Sequence, residues 1–253
     1  MDKPRSLTIL TGASRGLGAA MAEQLMTSGA MLLTMSRHLN QALNDNAAAA
    51  GAVLEQWSID LADGTCAAAS LEAWISDQKY SFSSATLINN AALAGKPGPI
   101  DESDTGELAA VLRVGLEAPM LLTRAFLRAT SEWNVPRRVL NISSGAGKKP
   151  LAGTAAYCAV KAGLDHFSRV VALDEARRAK GAKIVSLAPG VIDTNMQTEL
   201  RQSDPRMFPD QPLFAAMKTG GQLASPAAAA AKVLAYLARP DFGSNPVADV
   251  RDS

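Results

Sequence analysis

Cysteine and histidine are nearly absent from this chain of 253 residues, with two of each. Cys66 and Cys158 are too few and too ill-spaced for a disulfide framework or a zinc site. His38 and His166 stand alone, which excludes a histidine-built centre, so no metal is expected. Aromatic residues make up 5%, and Trp57, Trp74 and Trp133 are scattered, leaving no stacking platform for single strands. Neither sign of charge is in excess: 25 Lys+Arg against 24 Asp+Glu leave +1. Such a chain has no field to gather nucleic acid or an anionic membrane. No apolar run approaches the ~18 residues of a spanning helix. The start, MDKPRSLTILTGAS, lacks the apolar segment and cleavage site of a secretory leader. The expectation is a cytoplasmic protein that binds neither nucleic acid nor membrane.

What is present is enough apolar material, 47%, to bury a full core. Short β-rich runs alternate with Ala-rich helical stretches. Strands are expected at 6–11, 30–36, 53–60, 85–89, 138–143 and 183–188, and helices at 17–28, 39–50, 65–79, 108–130, 155–179 and 226–237, with a short extended end at 245–252. Gly29 is expected to close the first helix. The run 30–36 (AMLLTMS) is continuously apolar, as in a strand buried on both faces of a parallel sheet. Alternation at this spacing implies right-handed βαβ units, hence an α/β, doubly wound parallel sheet of Rossmann-like type. One domain over 1–253 is expected. The segment 194–225 breaks the rhythm with three prolines and two short helical pieces, the pattern of a small lid rather than a linker.

Ligands of such sheets sit beyond the C-terminal strand ends, and three motifs fall there. The first is Thr11-Gly12-Ala13-Ser14-Arg15-Gly16-Leu17-Gly18, between a strand and a helix. Glycines let the backbone approach a pyrophosphate whose charge rests on the helix N-terminus. The second is Tyr157-Cys158-Ala159-Val160-Lys161, whose i, i+4 spacing sets phenol and ammonium on one helix face. A lysine there is expected to favour phenolate and lower the phenol from its usual pKa of about 10, toward proton exchange with a carbonyl or alcohol oxygen. The third is Asn141-Ile142-Ser143-Ser144, a strand end whose Ser144 hydroxyl is placed to donate to the same oxygen. Cys158 and His166 read as packing and as a helix-face residue.

With these residues the chain resembles the short-chain dehydrogenase/reductases over essentially its whole length. The matching elements are TGASRGLG, Asp60, Asn89-Asn90-Ala91-Ala92, NISS, YCAVK and Ala188-Pro189-Gly190…Thr194. The resemblance implies that Ser144, Tyr157 and Lys161 carry hydride-coupled proton transfer to or from a small-molecule carbonyl substrate. It implies cofactor contacts from Gly12, Ser14, Arg15, Gly16, Leu17 and Gly18. Asp60 and Leu61 would lie by the adenine, Asn90 and Ala91 along the ribose–adenine side, and Pro189, Gly190, Ile192 and Thr194 by the nicotinamide amide. Tyr157 and Lys161 would also touch the cofactor. It further implies a homodimer or homotetramer paired through the long helices at 108–130 and 154–179.

Within the family, the segments Asp193–Gln197, Asp204-Pro205…Phe208-Pro209-Asp210 and Ser225-Pro226 are similar to the sepiapterin reductase branch, which includes bacterial reductases of 1,2-diketones such as benzil. By that resemblance Asp249 occupies the place of a substrate-anchoring acid. Met196, Met207, Phe208, Phe214 and Met217 either wall an apolar pocket or are ordinary packing, and the pocket is the expectation because an insertion beside the site is where substrate selectivity resides. A reductase of 3-oxoacyl thioesters, or an idle NADP(H)-binding sensor, uses the same scaffold. The end of the second strand, Met35-Ser36-Arg37, carries no acid to hold the ribose hydroxyls of NAD. Arg15 and Arg37 are instead placed to grip a 2′-phosphate, so NADP(H) is the expected cofactor. Two positions depart: Asn245-Pro246 replaces the usual Gly before the C-terminal segment, and Gly115 stands where the family has an Asn that kinks its helix. A glycine keeps the carbonyl and bends easily, and Gly115→Asn is expected to fold and work as well as the parent.

Overall fold

The computed structural model describes residues 5–78 and 82–252. The end of the expected helix at Lys79 and the start at Met1–Pro4 lie outside the described residues. Seven strands, β1 (Arg5–Thr11), β2 (Ala30–Ser36), β3 (Val53–Ser58), β4 (Phe82–Asn89), β5 (Arg137–Ile142), β6 (Lys183–Ala188) and β7 (Val247–Asp249), form one sheet in the order β3-β2-β1-β4-β5-β6-β7. Every pair is parallel. All C-terminal strand ends therefore share one edge, and the order reverses between β1 and β4. Each residue of β2 is buried, as its unbroken apolar run requires.

Helices α1 (Gly16–Leu25), α2 (Ala42–Ala50) and α3 (Gly64–Ser76) follow the first three strands. After β4 come α4 (Thr105–Leu112) and α5 (Ala118–Ala129), and after β5 the long α6 (Ala155–Ala176). The lid segment holds α7 (Asn195–Gln202) and α8 (Gln211–Thr219), and α9 (Pro226–Leu237) precedes β7. Two apolar layers result. One gathers Met21, Leu43, Val233 and Phe242 with Leu10, Leu32 and Leu140. The other gathers Leu71, Leu122 and Phe126 with Ile9, Leu87 and Val139. Among the described residues, no helix is long and apolar enough to cross a membrane.

Three expectations need correction. The first helix ends at Leu25, because Met26 leaves helical conformation (φ −76°, ψ 93°), and Gly29 (φ 80°) instead turns the chain into β2. The stretch 108–130 is not one helix. A π-turn at Arg113–Glu117 separates α4 from α5, and Pro119 sits in the first turn of α5, where its missing N–H does no harm. Gly115, inside that turn, is tightly fitted: a Cβ there would lie 2.6 Å from Cγ1 of Val160 on α6. Asparagine at 115 therefore cannot enter without displacing a fully buried valine.

Candidate active site

The parallel sheet delivers the glycine turn, Arg37, Asp60, Asn90, Ser144 and Pro189–Thr194 to its single C-terminal edge, each just after its strand. The glycine turn is tied down from both sides. Gly12 N donates to Met35 O (2.8 Å) and Ala13 N to Ser36 Oγ (2.9 Å), which draws the end of β2, and Arg37 with it, alongside the turn. From β4, Asn90 Nδ2 donates to Thr11 O (3.0 Å) and Gly12 O (3.1 Å). Thr11 Oγ1 accepts from the amides of Asn90 and Ala91. The resemblance sets Asn90 along a ribose, yet its amide N–H groups latch the turn.

Gly12 and Gly16 take φ of 73° and 58°, conformations that suit glycine. Gly18 has no room for a side chain, since a Cβ would lie 2.0 Å from Gly12 O. Arg15 begins α1 without a side-chain cap, and the first turn carries no acid. The opening amides of α1 are thus left for an anion, and the turn fits a dinucleotide pyrophosphate. Arg15 and Arg37 are exposed, and neither joins an ion pair among the described residues. Asp60 is exposed and accepts from Ala62 N, and Leu61 is buried beside it.

Ser144, Tyr157 and Lys161 come together. Ser144 lies two residues beyond β5 and caps a 3-10 turn, Gly145–Gly147, accepting from Ala146 N. Its hydroxyl faces the Tyr157 phenol and favours the phenol's ionised form. Lys161 Nζ lies 5.6 Å from the centroid of the Tyr157 ring and donates to Ile142 O at 2.8 Å. The direction of the phenol's shift reverses the sequence expectation. Burial pushes Tyr157 up, the Ser144 hydrogen bond opposes this, and Cys158 adds to the rise. Removing a phenolate from water is the largest cause, and the Lys161 nitrogen is directed at the Ile142 carbonyl. Lys161 itself is 3% exposed, and burial lowers its pKa to about 8, with Asp165 acting the other way.

The remaining candidates separate. In the lid, Asp193 is clasped by Arg201 (3.3 Å) and Lys218 (2.5 Å), and Asp193 N bonds Ala224 O. Met196 is half-buried on α7, but Phe208 is fully buried and packs edge-on to Phe214 at 5.1 Å. Phe208 is thus lid core rather than pocket wall. Asp249, on β7 beside Ala188, is held by the Arg251 guanidinium (2.8 Å at Nε) and the Arg251 amide. These bonds, with Lys148 nearby, keep its carboxyl below the usual range. Sequence reasoning missed the polar layer beneath the site. Asp165 Oδ1 accepts from Ser143 Oγ (2.6 Å) and Ser186 Oγ (2.7 Å), while Asn89 Nδ2 donates to Asn141 Oδ1 (2.8 Å) and Asn141 Nδ2 to Ser168 Oγ (2.8 Å). The signal available was an acid four residues beyond Lys161, on the same face of the helix.

A doubly wound parallel sheet with a glycine turn at β1 and a serine–tyrosine–lysine cluster beyond β5 defines a class of α/β proteins. The short chain dehydrogenase profile matches residues 6–205. The chain belongs to the short chain dehydrogenase family of oxidoreductases. It is 38% identical over 235 residues to a benzil reductase ((S)-benzoin forming) of Bacillus cereus, covering 92% of this chain and 94% of that one. It is 30% identical over 261 residues to the sepiapterin reductase of Rattus norvegicus, covering 98% and 97%. A metagenomic short-chain oxidoreductase crystallised in complex with NADP superposes with a TM-score of 0.73 at 27% identity, covering 96% and 94%.

Proposed function

We propose that this chain, acting as one domain over 1–253, is an NADPH-dependent carbonyl reductase that converts a ketone or 1,2-dicarbonyl of the benzil or sepiapterin type to the alcohol. The observation that carries the reading is the convergence of the Ser144 hydroxyl, the Tyr157 phenol and the Lys161 ammonium beyond β5. Gly12, Ser14, Gly16, Leu17 and Gly18 would hold the pyrophosphate, Arg15 and Arg37 the 2′-phosphate, and Pro189, Gly190, Ile192 and Thr194 the nicotinamide end, where the bound cofactor supplies hydride. Asp60, Leu61 and Ala91 would flank the adenosine. Tyr157 gives its proton to the substrate oxygen. Its raised pKa keeps it protonated at neutral pH, as an acid must be. Ser144 donates a hydrogen bond to the same oxygen and shares its developing charge. Lys161 holds a positive charge beneath the phenol. Met196 and Asp249 would meet the substrate.

A cytoplasmic homodimer or homotetramer goes with this reading. Leu112, Met120, Val170 and Leu173 are apolar and exposed on α4, α5 and α6. A groove of about 260 Å³ runs along Leu112, Leu116 and Met120, a surface suited to a second copy.

The test is NADPH oxidation with benzil, sepiapterin, small 1,2-diketones and an acetoacetyl thioester. Turnover is expected with the first three. Tyr157→Phe should lose it by roughly a hundredfold or more while NADPH binding stays near the parent's. A Tyr157→Phe variant that reduces diketones at the parent's rate removes Tyr157 from the reaction.

A further inference from the structure

Tyr157, Lys161 and Asp165 follow one another at four-residue steps along α6, so all three look toward the ends of β5 and β6. Asp165 is 3% exposed, as deeply placed as Lys161. An isolated carboxylate there would be strongly disfavoured. This one accepts two hydroxyls on a single oxygen, Ser143 at 2.6 Å and Ser186 at 2.7 Å, the first of them adjacent in sequence to Ser144. Its other oxygen faces the 3-10 turn after Ser144. A Cβ at Gly147 would lie 2.8 Å from Asp165 Oδ2 and 3.1 Å from the Lys161 carbonyl carbon. The turn that presents Ser144 is therefore seated directly on this carboxylate.

Resting on the reading above, we propose that Asp165 is a positioning residue of the Ser144–Tyr157–Lys161 site: it pins the end of β5 through Ser143 and supplies the countercharge to Lys161. Other charged groups are ill-placed for that part. Facing Lys161 are Tyr157 and Asp165 on its own helix and the Ile142 carbonyl of β5. The π-turn turns Gly115 toward α6 and leaves Arg113 and Glu117 exposed. Glu107 of α4 accepts from the Lys96 amide, and Asp249 of β7 is held by Arg251. The 3-10 turn and β6 bring the Gly147 backbone and the Ser186 hydroxyl to Asp165. Burial drives Lys161 toward its neutral form, and Asp165 opposes that drive.

The experiment is an NMR titration of Lys161 in cofactor-free protein carrying ¹³C-labelled lysine, with the signal assigned by its loss in Lys161→Met. Asp165→Asn keeps an oxygen for Ser143 and Ser186 and removes the charge. Its Lys161 midpoint is expected to fall by about one unit or more. The alkaline limb of kcat/KM for diketone reduction should move the same way. A folded Asp165→Asn with the parent's midpoint overturns the proposal. Should Asp165→Asn not fold, the double variant Lys161→Met/Asp165→Asn decides. Recovery of folding there supports a role through Lys161, whereas failure there, with Lys161→Met folded, makes Asp165 structural alone. Because the titration needs no turnover, a parent that reduces no carbonyl sinks the reductase reading while the Lys161 midpoint still judges Asp165.

Discussion

Gly115 and Val160 are fitted to each other across the boundary between the π-turn and α6: a Cβ on the glycine would come within 2.6 Å of the valine's Cγ1. Val160 is fully buried and lies between Tyr157 and Lys161 in sequence. The bulk absent at 115 is thus present at 160, and the packing of α6 against the π-turn depends on the pair rather than on either residue. Gly115→Asn should destabilise the protein by about 1–3 kcal/mol, the usual range for overpacking. Val160→Ala in the same chain should recover much of that loss, although Val160→Ala alone is destabilising. Thermal unfolding of the four proteins in the cycle gives the coupling. Additive effects would mean that the two residues do not share the space.

Gly18 offers a sharper steric test. Its Cβ would sit 2.0 Å from Gly12 O and 2.6 Å from Asn90 Nδ2, both part of the latched turn. Gly18→Ala must push the turn off Asn90, and NADPH affinity should fall by at least roughly tenfold, about 1.4 kcal/mol. Isothermal titration with NADPH reads the effect. An unchanged affinity would mean that the turn relaxes without harm.

The proposed preference for NADPH rests on two exposed guanidinium groups. Replacing Arg15 and Arg37 together by Ala should weaken NADPH binding by roughly tenfold to a hundredfold, the loss of about 1.5–3 kcal/mol for hydrogen bonds to a charged group. NADH binding should scarcely change. Equal losses for the two dinucleotides would assign the arginines a structural part.

Lys161 makes stability depend on pH in a definite direction. Its folded-state pKa of about 8 lies below the unfolded value of about 10.4, so the unfolded chain binds more protons between those two values. Its contribution is complete above the unfolded pKa and is lost as pH falls through about 8. Tyr157, raised by burial, acts oppositely, but only above about 10, where the unfolded phenol ionises. From pH 8 to 10 the parent should therefore gain stability relative to Lys161→Met, measured by urea unfolding of each. A constant difference across that range would mean that Lys161 is not held in a desolvated site.

The glycine turn and the pairing of Tyr157 with Lys161 were legible in the sequence because each depends on local spacing. Gly12 needs its positive φ whatever surrounds it, and residues four apart on a helix share a face in any fold. Strands β2 and β6 and helix α9 match their expected limits, since unbroken apolar runs and Ser225 as a cap are local signals. What depends on neighbours distant in the chain was decided only by the tertiary structure. Asn90 is a latch because β4 lies beside β1. Gly115 resists substitution because α6 brings Val160 against it. Phe208 packs within the lid because Phe214 closes over it. The phenol's shift is upward rather than downward because solvent exclusion, a property of the packed whole, outweighs the Ser144 hydrogen bond. Spacing along a chain specifies which groups can meet, and burial, which no single segment contains, sets the charge they carry when they do.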